Sequence, residues 1–228
     1  MGESVPHLRW RGPLRAAGSL ALVGLLLPFA YYAARFGWRS LAGDPELDSY
    51  LFAGRGPVAA TGLSLHMLAG AAITVVVPIQ LLPALRHRLP GLHRWTGRAI
   101  VTAGLVASAG GLLYIALEGT IGGPVMDAGF TLYGALLGLA AVMAWRAARS
   151  RTYATHREWA LRLAVLILGS WLFRVHYGIW YALTGGLGST EGLTGPFDRV
   201  QVFAFYLPYL AILEWHLWRG RRAGPAPS

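Results

Sequence analysis

Six long apolar stretches dominate this chain and limit its possible folds more than any other feature. They cover roughly residues 16–36, 57–83, 95–117, 126–146, 157–183 and 199–218. Each is about as long as a helix must be to cross the bilayer hydrocarbon, which takes about 20 apolar residues. Only 13% of the residues are charged, about half the share usual in a soluble domain. The sequence therefore predicts an all-α, polytopic bundle of six transmembrane helices in a single domain, residues 1–228.

The net charge of +10 is distributed in a way that predicts an orientation. Arginines crowd the N-terminus and alternate loops, whereas the loops between them are acidic or neutral. The basic segments are 85–94, 145–157 and 218–228, and the others are 44–55, 118–127 and 184–198. By the positive-inside rule, we expect both termini to lie in the cytoplasm. We expect the membrane to be a bacterial inner membrane. This distribution favours contact with membrane lipids and argues against nucleic acid as a partner.

Four histidines stand at two depths in the predicted spans. His66 and His176 fall in the outer halves of their spans, and His93 and His156 fall at inner ends. An ionisable group in a bilayer is costly and by default marks a functional site. Histidines on facing helices are also the ligands of a b-type haem. We therefore predict that His66 and His176 approach each other as ligands of haem b. We assign His93 and His156 as inner ligands or as a quinone site.

Each of these histidines also has a structural interpretation. His66 and His176 would then make hydrogen bonds between helices or line a small polar cavity. His93 and His156, each followed by arginine, would contact lipid phosphates at the interface.

Arg174 lies deep in the fifth span and needs a partner there. The sequence offers Glu118, Asp127 and Glu214 as carboxylates, and a backbone carbonyl or a haem propionate would serve as well. The sequence therefore predicts a paired Arg174, which would balance the charge of a propionate or of a quinone.

Glycines and one glutamine complete the candidate site. Gly70 and Gln80 share a helical face with His66, because residues at multiples of 3.6 stack along a helix. Glycine also recurs every seven residues in the third span, at positions 97, 104 and 111. Such a stripe admits a flat cofactor, but in membranes small residues more often mean helix packing.

The central half of the chain resembles a known family. The segments LHMLAGAAITVVVPIQLLPALRHRLPGLHRWTGR and THREWALRLAVLILGSWLFR are similar to the bacterial integral-membrane proteins grouped as domain of unknown function 2306. The resemblance covers roughly 60–180, and its motif includes Arg98 besides the histidines and Arg174. That family has no settled activity, so the resemblance implies a membrane fold rather than a reaction.

The same segments more distantly resemble cytochrome b-561 and related haem-carrying bundles. There too a histidine-bearing helix ends in glutamine, and a histidine with a downstream glycine opens the next helix. This chain departs from that pattern, because its fourth span has no histidine. His156 and His176 lie instead on one helix, about 30 Å apart at about 1.5 Å per residue. With this departure from the pattern, the protein could hold a single haem or no haem at all.

Three functions are considered as expectations. The first is a b-type cytochrome-like protein that passes electrons between a membrane quinone and a membrane redox partner. Its cofactor site would include His66, His176, His93, His156, Arg174, Gly70, Gln80 and Arg98. The second is a non-enzymatic membrane protein that binds a lipid or small amphiphile or assists another complex. A third, a proton-coupled carrier, would need a continuous relay that the scattered carboxylates do not demonstrate.

Overall fold

The computed structural model describes residues 11–44, 46, 47 and 49–222, with side chains from residue 17 onward. Every regular element in this part of the chain is a helix. The helices are α1 (Arg11–Leu41), α2 (Pro57–Gln80), α3 (Pro83–Arg88), α4 (Pro90–Glu118), α5 (Gly123–Arg149), α6 (Tyr153–Thr184), α7 (Pro196–Ala204) and α8 (Leu207–Arg222).

Six helical segments of the described chain are long and apolar enough to cross a membrane, which confirms the predicted fold class. They are Ala17–Leu41, Pro57–Gln80, Pro90–Glu118, Gly123–Arg149, Tyr153–Thr184 and Pro196–Arg222. Large apolar side chains such as Leu20 and Leu183 are exposed on the outside of the bundle, where a membrane protein meets lipid. We call the side with α3 and the α5–α6 connection the basic side, and the opposite side the acidic side.

Prolines move two predicted boundaries. The second span was expected to reach residue 83, but α2 ends at Gln80 and a separate short helix, α3, begins at Pro83. Leu82 is extended, with ψ 124°, because the residue before proline is disfavoured in helical conformation. Pro90 then starts α4, five residues earlier than expected, since proline suits the first turn of a helix.

The last span, predicted for 199–218, lies within the segment Pro196–Arg222, which the structure divides into α7 and α8. Phe205 and Tyr206 form a turn between these two helices. Pro208 lacks an N–H, and its ring clashes with the carbonyl four residues earlier, which belongs to Ala204. Phe205 and Tyr206 are both fully buried at this break, and the Tyr206 hydroxyl donates to the Gly129 carbonyl at 3.2 Å.

Helix α2 lies at the centre of the bundle and positions the site. It packs against α1, α4 and α6, while α5 packs between α4 and α6. Helix α7 contacts α5, and α8 contacts α6. The contact between α2 and α4 is closest at Gly62 and Gly110: a Cβ added at Gly110 would lie too close to the Gly62 carbonyl for any real contact. Between α1 and α6, by contrast, the packing is open.

Candidate functional site

His66 points from α2 towards α4. Its Nδ1 lies 2.6 Å from the Ala107 carbonyl oxygen, so Nδ1 carries the proton and donates. Gly111 makes room for the ring, because a Cβ there would come within 2.9 Å of Nδ1. With Nδ1 protonated, Nε2 is a lone-pair acceptor. Nε2 has no partner among the described residues and is not one of their enclosed, unbonded atoms. Its lone pair is therefore open to a ligand.

Arg174 lies on α6 at a depth similar to that of His66. Counted from the acidic ends of their helices, His66 is about 14 Å deep and Arg174 about 15 Å, at about 1.5 Å per residue. Arg174 Nη1 donates to the Ser170 carbonyl at 2.9 Å, and its guanidinium carbon lies 4.7 Å from the centre of the Phe29 ring. A guanidinium has five N–H donors, so four are unused by the described residues.

Arg174 borders an open region of the structure. The side chain is accessible although protein atoms surround most of it. A Cβ added at Gly70 or at Gly178 would meet no heavy atom within 4 Å, so open space adjoins both glycines. His66 lies close enough to Arg174 to feel its charge. We call this open region between α1, α2 and α6 the Arg174 cleft. The residues around it are Arg174 with its contacts Phe29 and Ser170. Gly178 lies one turn along α6 from Arg174, and Gly70 lies one turn along α2 from His66.

The predicted meeting of His66 with His176 does not occur, and this is a correction. His176 Nδ1 bonds Gln201 Oε1 at 3.2 Å, and Nε2 bonds the Tyr209 hydroxyl at 2.7 Å. Both partners belong to α7 and α8. Arg174 and His176 are two residues apart, about 200° around α6. His176 therefore faces α7 and α8 while Arg174 faces the cleft. With both ring nitrogens bonded, His176 has none to offer an iron.

Arg174 also lacks the carboxylate partner proposed from the sequence. Each of the three candidates is engaged elsewhere among the described residues. Glu118 bonds Arg55 at 3.2 Å and the Gly56 N–H at 2.9 Å. Asp127 accepts the Thr120 N–H at 2.7 Å. Glu214 binds Arg162 through both oxygens, at 2.5 and 2.8 Å. Of the partner types expected, only a carbonyl, that of Ser170, bonds Arg174.

The inner histidines are brought together. His93 at the start of α4 and His156 near the start of α6 lie close enough to interact electrostatically. His156 Nδ1 bonds the Ala144 carbonyl at 3.0 Å, which orients the ring and leaves Nε2 as the acceptor. His93 Nδ1 is buried without a partner. The pair therefore offers unused imidazole nitrogens on the basic side.

Gln80 joins α2 to α4 beside this pair and is not itself free. Its Nε2 donates to the His93 carbonyl at 2.8 Å, and its Oε1 accepts from the Thr96 hydroxyl at 2.6 Å. Gly97 accommodates the amide, because a Cβ there would come within 3.1 Å of Gln80 Nε2. Gln80 therefore positions the backbone of His93.

The glycine stripe of α4 packs against other parts of the protein, as the packing interpretation predicted. Gly97 faces Gln80, Gly111 faces the His66 ring, and Gly104 faces Ala141 and Leu163 at ordinary contact distance. Along this stripe, protein atoms fill the space that a porphyrin would need.

Arg98 lies apart from the His93 side of α4. It lines a groove on the outside of α4 together with Trp95, and its guanidinium carbon lies 4.9 Å from the centre of the Trp95 ring. Arg98 and His93 are five residues apart, about 140° around the helix. Arg98, which the sequence analysis included in the cofactor site, therefore lies on a different face of α4 from His93.

The described residues contain no group of three or more His, Cys, Asp or Glu side chains that could hold a metal ion. For haem b, the donor chemistry of His93 and His156 fits, since two neutral imidazoles with free nitrogens are what bis-histidine ligation requires. His66 and His176 do not fit haem b, because both ring nitrogens of His176 are already bonded. Haem b itself stays a prediction.

Two contributors to the cleft were missed from the sequence. Phe29 is an ordinary apolar residue of the first span, and Ser170 contributes only its carbonyl. Neither residue type signals a site by itself, because Phe29 is apolar and Ser170 acts through its backbone. Only the arrangement of α1 beside α6 reveals them.

The protein is therefore a polytopic helical membrane protein that carries the ionisable residues His66 and Arg174 within its spans. The chain belongs to the family described as predicted membrane protein (DUF2306), whose model matches residues 63–191. The match includes the four histidines and Arg174, and the resemblance drawn from the sequence is confirmed. No curated protein and no solved structure matches the chain.

Proposed function

We propose that this protein binds a membrane quinone in the Arg174 cleft and takes part in electron transfer with a membrane redox partner. The observation that carries the proposal is Arg174 itself, which lies about 15 Å from the acidic end of α6. Its side chain is accessible, and four of its N–H donors are unused by the described residues. An unpaired guanidinium at this depth is costly. A ligand oxygen would reduce that cost by accepting hydrogen bonds from Arg174.

His66 narrows the class of ligand. Its Nε2 accepts a hydrogen bond, whereas Arg174 only donates. A quinol satisfies both, because one oxygen can accept from Arg174 while the other hydroxyl donates to His66. An imidazole at that position can also take up the proton that a quinol releases when it is oxidised. We propose a bacterial inner membrane as its location, and the basic loops support an orientation with those loops in the cytoplasm.

The alternative is a non-enzymatic protein that binds a lipid or another amphiphile in the same cleft. A fatty acid carboxylate would pair with Arg174 as well as a quinone oxygen does, but it would bring no proton for the His66 acceptor. The two functions therefore differ in what they require of His66.

The test is a titration of the full chain in lipid nanodiscs with a benzoquinol that carries a ten-carbon tail, followed by tryptophan fluorescence. A saturated fatty acid serves as the carboxylate probe. We expect R174Q to weaken quinol binding by about 10- to 100-fold, as removal of a charge-assisted hydrogen bond does. The matched control is R199Q, because Arg199 is exposed and bonds, among the described residues, only the Thr194 carbonyl. Equal losses in both variants would contradict the proposal, and binding of the fatty acid alone would favour the alternative.

A second candidate, haem b on the basic side, rests on the inner histidines. His93 and His156 lie together, and His93 Nδ1 is buried without a partner. When bound, the haem would supply one-electron chemistry, and the two imidazoles would hold its iron. The test is the absorption spectrum of protein expressed with added haem and reduced with dithionite. H93A and H156A should each lose a low-spin b-type band that H176A keeps. Colourless wild-type protein would contradict this candidate.

A further inference from the structure

A groove runs along the outside of α4 where it meets α2, away from the Arg174 cleft. Its volume is about 570 Å³. Small apolar side chains form the floor, and two larger polar or aromatic groups stand at the end nearest the basic side. The lining residues are Ala69, Trp95, Arg98, Ala99, Thr102, Ala103 and Val106. The groove thus has an apolar part within the membrane and a charged end towards the basic interface.

Arg98 supplies the charge and has unused donors. It forms no hydrogen bond or ion pair with the described residues. Its guanidinium stacks on the Trp95 ring, 4.9 Å from the ring centre. Stacking fixes the plane of the guanidinium but leaves its N–H edge free to meet an anion with two parallel hydrogen bonds. Arg98 lies about 12 Å from the start of α4, at about 1.5 Å per residue.

Thr102 follows Arg98 by one helical turn and lines the same groove. Its side chain is exposed, and its hydroxyl has no partner among the described residues. A positive guanidinium, a hydroxyl and an apolar channel therefore follow one another from the interface into the membrane. The phosphate, ester linkages and acyl chain of a phospholipid follow one another in the same order.

We propose that this groove is a binding site for one phospholipid with a net negative headgroup, taken from the leaflet on the basic side. The charge of Arg98 selects the anionic headgroup, since a zwitterionic lipid would bring its own cation to a surface already rich in arginine. The small side chains at 69, 99 and 103 make the room for an acyl chain. The site is independent of the Arg174 cleft and of any quinone.

The experiment is native mass spectrometry of the full chain in detergent, titrated with phosphatidylglycerol or with phosphatidylcholine of the same acyl chains. We expect wild-type protein to prefer phosphatidylglycerol by about five-fold, the effect of one arginine near an anionic headgroup. R98Q should lose this preference. R94Q is the matched control, because Arg94 is an exposed arginine one turn earlier on the same helix and does not line the groove.

A second variant tests the apolar part of the site. Ala99 is exposed on the surface of α4, so A99L should fold normally while its side chain fills the groove. It should weaken the binding of both lipids and keep Arg98 in place. The proposal is overturned by equal affinity of wild-type protein for the two lipids, by an equal loss in R94Q and R98Q, or by unchanged binding in A99L. Competition by free inorganic phosphate would also overturn it, in favour of a site for a soluble anion.

Discussion

Helix α6 carries an arginine in each of two regions that differ sharply in how the charge is satisfied. Near its basic end, Arg162 binds both oxygens of Glu214 on α8, at 2.5 and 2.8 Å. Glu158 lies 3.8 Å from Arg162 and 2.9 Å from Arg221. Three turns further along, Arg174 meets only a carbonyl and a phenyl ring among the described residues.

This contrast separates the arginine with a structural role from the arginine that is free to bind a ligand. Arg162 has protein partners that together satisfy its charge, so it ties α6 to α8 and has little left for a ligand. Arg174 has the same chemistry without the partners, in a place where pairing matters more because water is scarcer. A guanidinium that lies inside a membrane span without a carboxylate partner among the described residues is therefore what distinguishes the Arg174 region, as a candidate binding site, from the Arg162 ion pair.

The regions around Arg162 and Arg174 lie in different halves of the membrane only if the helices cross it as predicted. If α5 crosses the membrane, the α4–α5 and α5–α6 connections lie on opposite sides, and from the positive-inside rule we expect the second to lie in the cytoplasm. Fusions of a reporter that is active only outside the cytoplasm should be active at Gly122 and inactive at Ser150, an all-or-none difference. The same reading at both positions would mean that α5 does not cross.

A carboxylate introduced beside Arg174 should form an ion pair with it, as Glu214 does with Arg162, and occupy the donors that would bind a ligand. Gly178 lies one turn from Arg174, with open space beside it, so the side chain of G178E can pair with the guanidinium. We expect G178E to weaken quinol binding in nanodiscs about ten-fold more than G178Q does. G178Q adds a side chain of nearly the same size without the charge. Equal binding by the two variants would show that the charge of Arg174 is not what holds the ligand.

The free energy of unfolding should depend on the Arg162–Glu214 pair more than on Arg174, whereas ligand binding should depend on Arg174. E214Q leaves Arg162 with Glu158 alone, and Arg162 is only 15% exposed while Glu214 is 45% exposed. For a pair that water partly screens, we expect a loss of about 1 to 2 kcal/mol in the free energy of unfolding. R174Q should change that free energy by less than about 0.5 kcal/mol, because it removes a poorly paired charge.

Denaturant-induced unfolding in detergent measures both variants, with E46Q at an exposed acid as the control. A larger loss in R174Q than in E214Q would mean that Arg174 is the structural arginine of the two.

The smallest effect concerns His66. H66Q keeps an N–H donor that can reach the Ala107 carbonyl. Its amide oxygen is still an acceptor, but it does not occupy the position of the imidazole Nε2 and cannot take up a proton. We expect quinol binding to fall by about three- to ten-fold, the worth of one neutral hydrogen bond, while fatty acid binding stays unchanged. H87Q, at an exposed histidine of α3, should alter neither. Equal losses for quinol and fatty acid would favour the amphiphile-binding alternative.

The sequence alone predicted the six membrane helices, because the length of an apolar run and the cost of unbonded backbone in lipid are local properties. It also identified His66, Gly70 and Arg174, since an ionisable residue within a span is recognisable without a structure. The break before Pro208 was missed although proline is visible in the sequence. Its effect at Ala204 depends on a carbonyl four residues away.

Which residues share a site was decided by tertiary structure. A helical wheel places Arg174 and His176 on different faces of α6, but it does not show that α7 and α8 cover one face and that α1 and α2 border the other. That placement directs His176 to Gln201 and Tyr209. It also leaves Arg174 beside Phe29 and open space. Helix contacts depend on the packing of the whole bundle, whereas the span of each helix depends on its own residues. For this reason the sequence determined the membrane fold, and only the assembled helices determined the site.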